Sequence, residues 1–540
     1  MKFLILFLFA CLTVCWSVRA DPILVISTRS LESMITASTK IAEAFEPGSS
    51  KNSKGGLFGE LGRATDGVDP KRPWHYAIFQ RNNEMSFFGT WSVYYVPVSN
   101  YAAFAKALPE NGAFRRHSVQ KVGDHAVVVQ KMSLRSKPPA QEDISRFVEW
   151  AKKAPRKVEH DFTVVFELNA NLRNIGVLGM TLARQALAEQ MKPSDKQQRV
   201  RSALLLPGAY EMLSLHLDLA TAIVKGTERV TITLDVEEDR LLLRDRMEAL
   251  PDSDYARLLK PSKSDLGSLI KRFDADLPVV VAAHIEGDSQ LRKSVLSAVR
   301  AGTKLNAKED DAQFASEAEG LLTAMLPVSV AMTVDWRRKY QATGVYQFAK
   351  REAGAIRQRL LEFIPRYLTV RANTDQVYSK VKLRKNARQI DGFEVDQLRT
   401  QLNRESSLFA DDDVKEVLKH FWPEDEITVE YAAQGSRLFF ASGTPVEKAV
   451  RPAANPVQSA VEANSNTVML VRFNPVELVI QTLISEQRPS LNTLKLLERL
   501  DADGAFIDAK IDLDGGMNGT ASIPFRVIRE FGKLVNGQKN

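Results

Sequence analysis

The chain has 540 residues, a formal charge of +7 at pH 7 and 44% hydrophobic residues. Acidic residues alternate with basic ones in stretches such as EEDRLLLRDRMEALPD, which excludes the dense basic stripe typical of nucleic-acid binding. The two cysteines, Cys11 and Cys15, lie near the N-terminus, so the remainder has no thiol for nucleophilic catalysis, disulfides or zinc–thiolate sites.

The first twenty residues predict a secretory signal peptide. Lys2 precedes an apolar run from Phe3 to Val14, and Val18-Arg19-Ala20 is a small-residue cleavage site, so we expect cleavage after Ala20. The run is shorter than the about 20 apolar residues that cross a bilayer, and we expect no transmembrane span after cleavage. An uncleaved anchor and lipidation at Cys11 or Cys15 are the alternatives. The expected location is extracytoplasmic, either periplasmic or secreted.

Four segments begin with a short β-branched run followed by an apolar stripe of helical period, the pattern of a strand and then a helix. They start at Pro22, Asp161, Leu277 and Asn466. Polar residues at each junction predict helix N-caps, because their side chains accept hydrogen bonds from the free amides of a starting helix. These predicted caps are Ser30, Asn169, Asp288 and Asn474, the last followed by Pro475 at the first helical position.

Each segment continues into a predicted β-hairpin and a further helix. The predicted turns lie near Asn82-Asn83, at Glu237-Glu238-Asp239, at Gln434-Gly435 and at Gly515-Gly516. Apolar residues alternate with polar ones from Val230 to Val236, which is typical of a strand with one face in water. We therefore predict an α+β fold of about four divergent strand–helix–hairpin–helix units, with mainly antiparallel sheets covered by helices on one face.

The predicted boundaries follow breaks in this pattern. They place the signal peptide at 1–20, unit 1 at 21–142, unit 2 at 143–265, unit 3 with a helical insertion at 266–455, and unit 4 at 456–540. The phrases GVDPKRPWHYAIF and VYYVPVSNYAAFAKAL, with the signal peptide and the recurring unit, resemble a broad class of uncharacterised secreted repeat-containing proteins of planctomycete-type bacteria. The resemblance implies an extracytoplasmic location and carries no catalytic residues.

His284 and Glu286 are the candidate catalytic residues. They stand two apart at the end of VVVAAHIEG, where both side chains share one face of a strand, an arrangement that suits a general base. The matching corners of the other three segments lack this pair, which favours a structural histidine at a strand end. No HExxH, GxSxG, Walker or GxGxxG motif occurs.

A second group of polar residues is the acidic stretch DADGAFIDAKIDLDGG. The candidate metal ligands here are Asp501, Asp503, Asp512 and Asp514, but their spacing does not match a calcium loop, which favours a strand with acidic residues on its wet face. We interpret DWRRKY, from Asp335 to Tyr340, as a charged turn. The run ADDDV, from Ala410 to Val414, is interpreted as a helix start, and FFGTWSVYYV, from Phe87 to Val96, as a buried strand.

These observations predict a noncatalytic envelope-associated protein with a binding or structural role. The alternatives are a carrier of an apolar or glycolipid ligand and an extracytoplasmic hydrolase whose site forms only in the fold. We expect no cofactor, no metal and no nucleic acid. The expected partner is an envelope protein, a glycan or a lipid.

Overall fold

A computed structural model describes most of the chain. The described residues are 22–48, 66–80, 90–108, 116–130, 138–190, 209–259, 263–286, 309–337, 339–349, 351–375, 378–405, 424–484 and 491–537. The predicted cleavage site at Ala20 lies outside them. They form two compact lobes. The described residues of lobe 1 lie within 1–179, 223–255 and 516–540, and those of lobe 2 lie within 180–222 and 256–515.

Strands and helices occur in comparable amounts. The strands are β1 Leu24–Thr28, β2 Trp74–Gln80, β3 Thr90–Pro97, β4 Arg116–Val122, β5 His125–Gln130, β6 Phe162–Glu167, β7 Thr227–Val236, β8 Arg240–Ala249, β9 Val279–Ile285, β10 Val328–Asp335, β11 Gln341–Phe348, β12 Tyr378–Ile390, β13 Phe393–Leu402, β14 Glu426–Gln434, β15 Arg437–Ser442, β16 Thr467–Phe473, β17 Ile507–Leu513 and β18 Met517–Pro524. The helices are α1 Leu31–Phe45, α2 Tyr101–Ala107, α3 Gln141–Lys153, α4 Ala170–Gln190, α5 Ala209–Gly226, α6 Asp254–Leu258, α7 Leu266–Ile270, α8 Glu309–Met325, α9 Ala353–Asp375, α10 Glu447–Val450, α11 Pro475–Ile484, α12 Leu491–Leu497 and α13 Phe525–Gly537.

Each lobe contains an antiparallel sheet. In lobe 1 the described strands pair in the order β4-β5-β3-β2-β1-β6-β7-β8-β18. In lobe 2 they pair in the order β12-β13-β14-β15-β11-β10-β9-β16-β17. The prediction of an α+β fold with mainly antiparallel sheets is confirmed. No helix in the described ranges combines the length and the apolar character that crossing a bilayer requires.

Helices pack on both faces of each sheet, so the prediction of helices on one face was wrong. In lobe 1, α3 buries Phe147 against Val127 and Val129, whereas α1 and α2 pack against a cluster that includes Ala126 and Val128 of the same strand. In lobe 2, Phe439 packs in one hydrophobic core cluster, and its neighbour Leu438 packs in a second one. Neighbouring residues of a strand point to opposite faces, so consecutive apolar residues require cover on both sides.

Local structure follows the predicted caps and turns where they are described. Ser30 accepts a hydrogen bond from the Ser33 amide at 3.0 Å and caps α1. Asn169 accepts from Leu172 N and Asn474 from Glu477 N, each at 3.0 Å. The predicted turns at 237–239 and at Gln434-Gly435 close the β7–β8 and β14–β15 hairpins. Asp288 and the Asn82-Asn83 turn lie outside the described residues.

The outermost described strand of the lobe 2 sheet, β12, is rich in basic residues. It pairs with β13 in a register that shifts twice, between Tyr378 and Lys380 and between Arg384 and Arg388. Such shifts are β-bulges, which bend and twist a strand locally. The basic side chains of β12 are Lys380, Lys382, Arg384, Lys385 and Arg388.

A buried ion pair connects α9 to the sheet of lobe 2. Asp396 of β13 is fully buried, and its carboxylate accepts hydrogen bonds from Arg357 Nε and from the Asn386 amide, the latter at 2.8 Å. Arg357 also donates to Asn386 Oδ1 at 3.2 Å, and its side chain is 15% exposed. Burial lowers the pKa of Arg357, but the hydrogen bonds to Asp396 and Glu394 and the charges of these two carboxylates together raise it. The guanidinium therefore neutralises a carboxylate that has no access to water.

Candidate functional site

A cleft of about 330 Å³ lies in lobe 2. It is built where β10 and β11 leave the hydrophobic core. Ala331 and Val345 belong to that core, and the residues that follow on the same face towards the turn are polar. Thr333 stands opposite Thr343, and Asp335 stands opposite Gln341. The remaining wall comes from the segments after α7 and around α10, with Arg272, Phe273, Asp274, Leu277, Thr444, Glu447, Lys448, Arg451, Pro452, Ala453 and Ala454.

Two of the carboxylates in the cleft are neutralised by arginines. Arg337 donates to both oxygens of Asp335, at 3.0 and 2.9 Å. Burial raises the pKa of Asp335, but the hydrogen bonds from Arg337 together with the charges of Arg337 and Lys448 lower it below its usual value. Arg388 bonds Glu447 and also the buried Glu430, and its hydrogen bond lowers the pKa of Glu447. These two carboxylates contribute little free negative charge.

Arg451 of the cleft wall pairs with Asp391 at 3.2 Å, whereas Arg272 has backbone carbonyls and an aromatic ring as its partners. Arg272 Nη2 donates to the backbone carbonyl of Val450 at 2.5 Å and lies 3.3 Å from that of Ala449, so it holds the end of α10. Its guanidinium stacks 5.2 Å from the centre of the Phe439 ring. Burial, and then the charge of Arg437, lower the pKa of Arg272. Within the described residues no carboxylate lies within ion-pair distance of the Arg272 guanidinium.

Gly443 shapes the cleft by letting the segment before α10 approach the β10–β11 turn. Its φ is +68°, and a Cβ atom built there would lie 2.3 Å from the Tyr340 carbonyl oxygen. The Gly443 amide donates to the Thr428 carbonyl at 3.3 Å. The position therefore requires a residue without a side chain.

We expect Gly443→Ala to lower the free energy of unfolding by about 2 kcal/mol, because both the backbone angle and the contact become unfavourable. The matched control is Gly435→Ala, whose φ is +53° but whose Cβ would meet no atom within 4 Å. The control is expected to lose about 1 kcal/mol, the cost of the backbone angle alone. Chemical denaturation measures both. Equal losses would show that the approach to Tyr340 has no energetic role.

The candidate catalytic pair is brought together with a serine. His284 Nδ1 lies 2.7 Å from Ser329 Oγ, its direct cross-strand neighbour, and His284 Nε2 lies 3.4 Å from Glu286 Oε1. A serine, a histidine and a carboxylate thus meet, and Ser329 was not predicted. The serine and the histidine are buried: Ser329 is 8% exposed, and the side chain of His284 is 6% exposed.

The same cross-strand contact occurs in lobe 1 with the two residues exchanged. There Ser27 lies on the first strand and His75 on the second, 2.8 Å apart, and both are buried. The second nitrogen of His75 lies 3.1 Å from the Pro155 backbone carbonyl and donates to it. Burial lowers the pKa of His75 to about 4, with a further contribution from His125, so the ring is neutral at pH 7. The recurrence favours a structural role for His284 as well.

The candidate metal ligands do not meet. Asp501, Asp503 and Asp514 are exposed, and Asp501 accepts from the Asp503 amide. Asp512 is 8% exposed and lies 2.6 Å from Thr467 Oγ1 and 2.8 Å from Lys510 Nζ. The prediction that this strand has its acidic residues on a wet face is therefore wrong for Asp512, because hydrogen bonds compensate its burial. Across the described ranges, no three His, Cys, Asp or Glu side chains converge as a metal site would require.

Three further stretches were predicted to form a charged turn, a buried strand and a helix start. β10 ends at Asp335 and β11 begins at Gln341, so the predicted charged turn falls between two paired strands, and Asp335 also lines the cleft. Trp91 and Tyr95 are buried within β3, consistent with a buried strand. The run from Ala410 to Val414 lies outside the described residues.

Arg272, Thr333, Thr343 and Lys448 were not predicted as site residues. The sequence signal for the threonines is a strand whose apolar alternation becomes polar near the turn. No signal joins Arg272 to Lys448, because they come from separate parts of the chain. Comparison of the whole chain with protein-family models, curated proteins and solved structures finds no match.

Proposed function

We propose that the protein is a noncatalytic, extracytoplasmic binding protein whose lobe 2 cleft holds a small, hydroxyl-rich anion such as a sugar acid. The observation that carries the proposal is the Arg272 guanidinium in the cleft wall, which has backbone carbonyls and an aromatic ring as partners. A ligand carboxylate would supply the missing negative charge. The location is proposed from the signal-peptide pattern of residues 1–20.

The remaining lining agrees with this ligand class. Thr343, Thr444 and Gln341 offer hydroxyl and amide groups to ligand hydroxyls, and Leu277 offers apolar surface to a sugar ring. A volume of about 330 Å³ suits one sugar unit. Charged and hydroxyl side chains stand beside apolar surface in this wall, which suits a ligand that has both polar groups and an apolar ring face.

The test compares glucuronate with glucose by titration calorimetry on the wild-type chain and on Lys448→Gln. Lys448 is exposed, and its Nζ lies 3.3 Å from Gln341 Oε1. We expect wild type to prefer glucuronate, and the variant to bind it about tenfold more weakly, because an ammonium partner of the carboxylate is lost. The matched control, Lys495→Gln on exposed α12, should retain wild-type affinity.

A second variant, Thr343→Val, keeps the side-chain shape and removes a hydroxyl. It should weaken glucuronate binding without changing the cooperativity of unfolding. Absence of glucuronate binding by the wild type, or equal affinities in Lys448→Gln and Lys495→Gln, would contradict the proposal.

We also infer that four divergent units share one order of elements: strand, helix, hairpin and helix. The support is that the four predicted segments begin at β1, β6, β9 and β16, and that these strands pair as neighbours, β1 with β6 and β9 with β16. The arrangement β3-β2-β1-β6-β7 in lobe 1 parallels β11-β10-β9-β16-β17 in lobe 2. Such a plan suits a binding protein, because each copy of the scaffold is free to diverge at its loops.

A further inference from the structure

Lobe 1 contains a second pocket, of about 440 Å³, with a basic lining. Four of its lining residues are cationic, Arg29, Lys71, Arg156 and Lys157, and one, Glu159, is acidic. The pocket lies between the end of β1, the segment before β2 and the segment that joins α3 to β6. Cations outnumber carboxylates in this lining, whereas the two are equal in number in the lining of the lobe 2 cleft.

Arg29 is engaged within the lobe. Its guanidinium donates to the Glu159 backbone carbonyl, at 3.0 Å from Nε and 2.5 Å from Nη2. It also lies 3.6 Å from Asp161 and 3.7 Å from Asp235. Its positive charge is thus compensated by neighbouring carboxylates.

The other three cations have no such compensation. Lys71, Arg156 and Lys157 are exposed, and in the part of the chain that the structure describes no carboxylate lies within ion-pair distance of their side chains. Cations on a charged surface are commonly interspersed with acids, whereas these face one concave site. The unbalanced charge favours an anion with more than one negative oxygen.

The segment that carries Arg156 and Lys157 is held at both ends. The Pro155 carbonyl accepts from the fully buried His75 ring at 3.1 Å, and the Glu159 carbonyl accepts from Arg29. Val158 between them is 9% exposed and anchors the segment in the lobe. A backbone fixed in this way positions its cations before a ligand arrives, which lowers the entropic cost of binding.

We propose that this pocket binds a phosphate group through Lys71, Arg156 and Lys157. Arginine and lysine together suit a phosphate, since the guanidinium offers paired N–H donors and the ammonium offers a compact charge. The site is independent of the lobe 2 cleft and takes a different ligand class. The same chemistry would recognise a free phosphate-bearing solute or a phospholipid headgroup.

The test uses the full chain and the double variant Arg156→Gln/Lys157→Gln. Inorganic phosphate binding is measured by titration calorimetry, and the variant is expected to bind at least about tenfold more weakly. The matched control is Lys152→Gln/Lys153→Gln, which changes the net charge equally on the exposed last turn of α3, outside the pocket lining. The control should keep wild-type affinity.

Flotation with vesicles identifies the source of the phosphate. Binding to phosphatidylglycerol vesicles but not to phosphatidylcholine vesicles, lost only in the pocket variant, supports a lipid headgroup. Phosphate binding without vesicle binding supports a soluble ligand. If wild type binds neither inorganic phosphate nor the anionic vesicles, or if both double variants lose affinity equally, the proposal is overturned.

Discussion

Replacing Arg357 by Met is expected to lower the free energy of unfolding of lobe 2 by about 3 kcal/mol, a fall in Tm on the order of 10 °C. The variant leaves the fully buried carboxylate of Asp396 with the Asn386 amide but without its cationic partner. An unpaired carboxylate that cannot reach water is strongly unfavourable. Differential scanning calorimetry measures the loss.

The control for this variant lies two residues along the same helix. Arg359 is exposed, so Arg359→Met should change Tm little. A second check is Arg357→Met/Asp396→Asn, which removes the charge and keeps an acceptor for the Asn386 amide. The double variant should be more stable than Arg357→Met alone. The explanation fails if the Arg357→Met and Arg359→Met variants have the same Tm.

Acidification from pH 6.5 to 4 is expected to destabilise lobe 1 through His75, by up to about 3 kcal/mol. Burial lowers the pKa of His75 in the folded chain from 6.5 to about 4, with a smaller contribution from His125. The unfolded chain therefore binds a proton in this interval that the folded chain does not bind. Stability from this group is complete above pH 6.5 and is lost as the pH falls towards 4.

Chemical denaturation across this pH range, in wild type and in His75→Gln, measures the effect. The substitution itself costs stability, so the informative quantity is the slope of stability against pH. The slope should become shallower in His75→Gln, with a remainder from groups such as His125, whose pKa burial also lowers. An unchanged slope would show that another group takes up the proton. Histidine NMR titration of wild type checks the assignment independently.

Features encoded within a few residues were predictable from the sequence. The caps Ser30, Asn169 and Asn474 each act on an amide three residues later, so their pattern is visible in a short window. The turn at Gln434-Gly435 is equally local. The antiparallel α+β class followed from successive hairpins, because two strands joined by a short turn must run in opposite directions.

Features that depend on strand order were not predictable. Ser329 meets His284 only because β9 and β10 pair in one particular register across 45 residues of chain. The cleft requires β15 to pair with β11 although β12, β13 and β14 intervene in sequence. Cover on both faces has a sequence signal in the consecutive apolar residues Ala126 to Val129, whereas the alternating residues of β7 predict cover on one face only.

The basic outer strand β12 has a consequence for the concentrated protein. An edge strand presents unpaired backbone donors and acceptors, which invite addition of a strand from another molecule. In β12, two register shifts interrupt the regular spacing of those groups, and four exposed cations, Lys380, Lys382, Arg384 and Lys385, repel the identical strand of a second copy. The irregular geometry of β12 and the repulsion between like charges thus both oppose aggregation of lobe 2 through this strand.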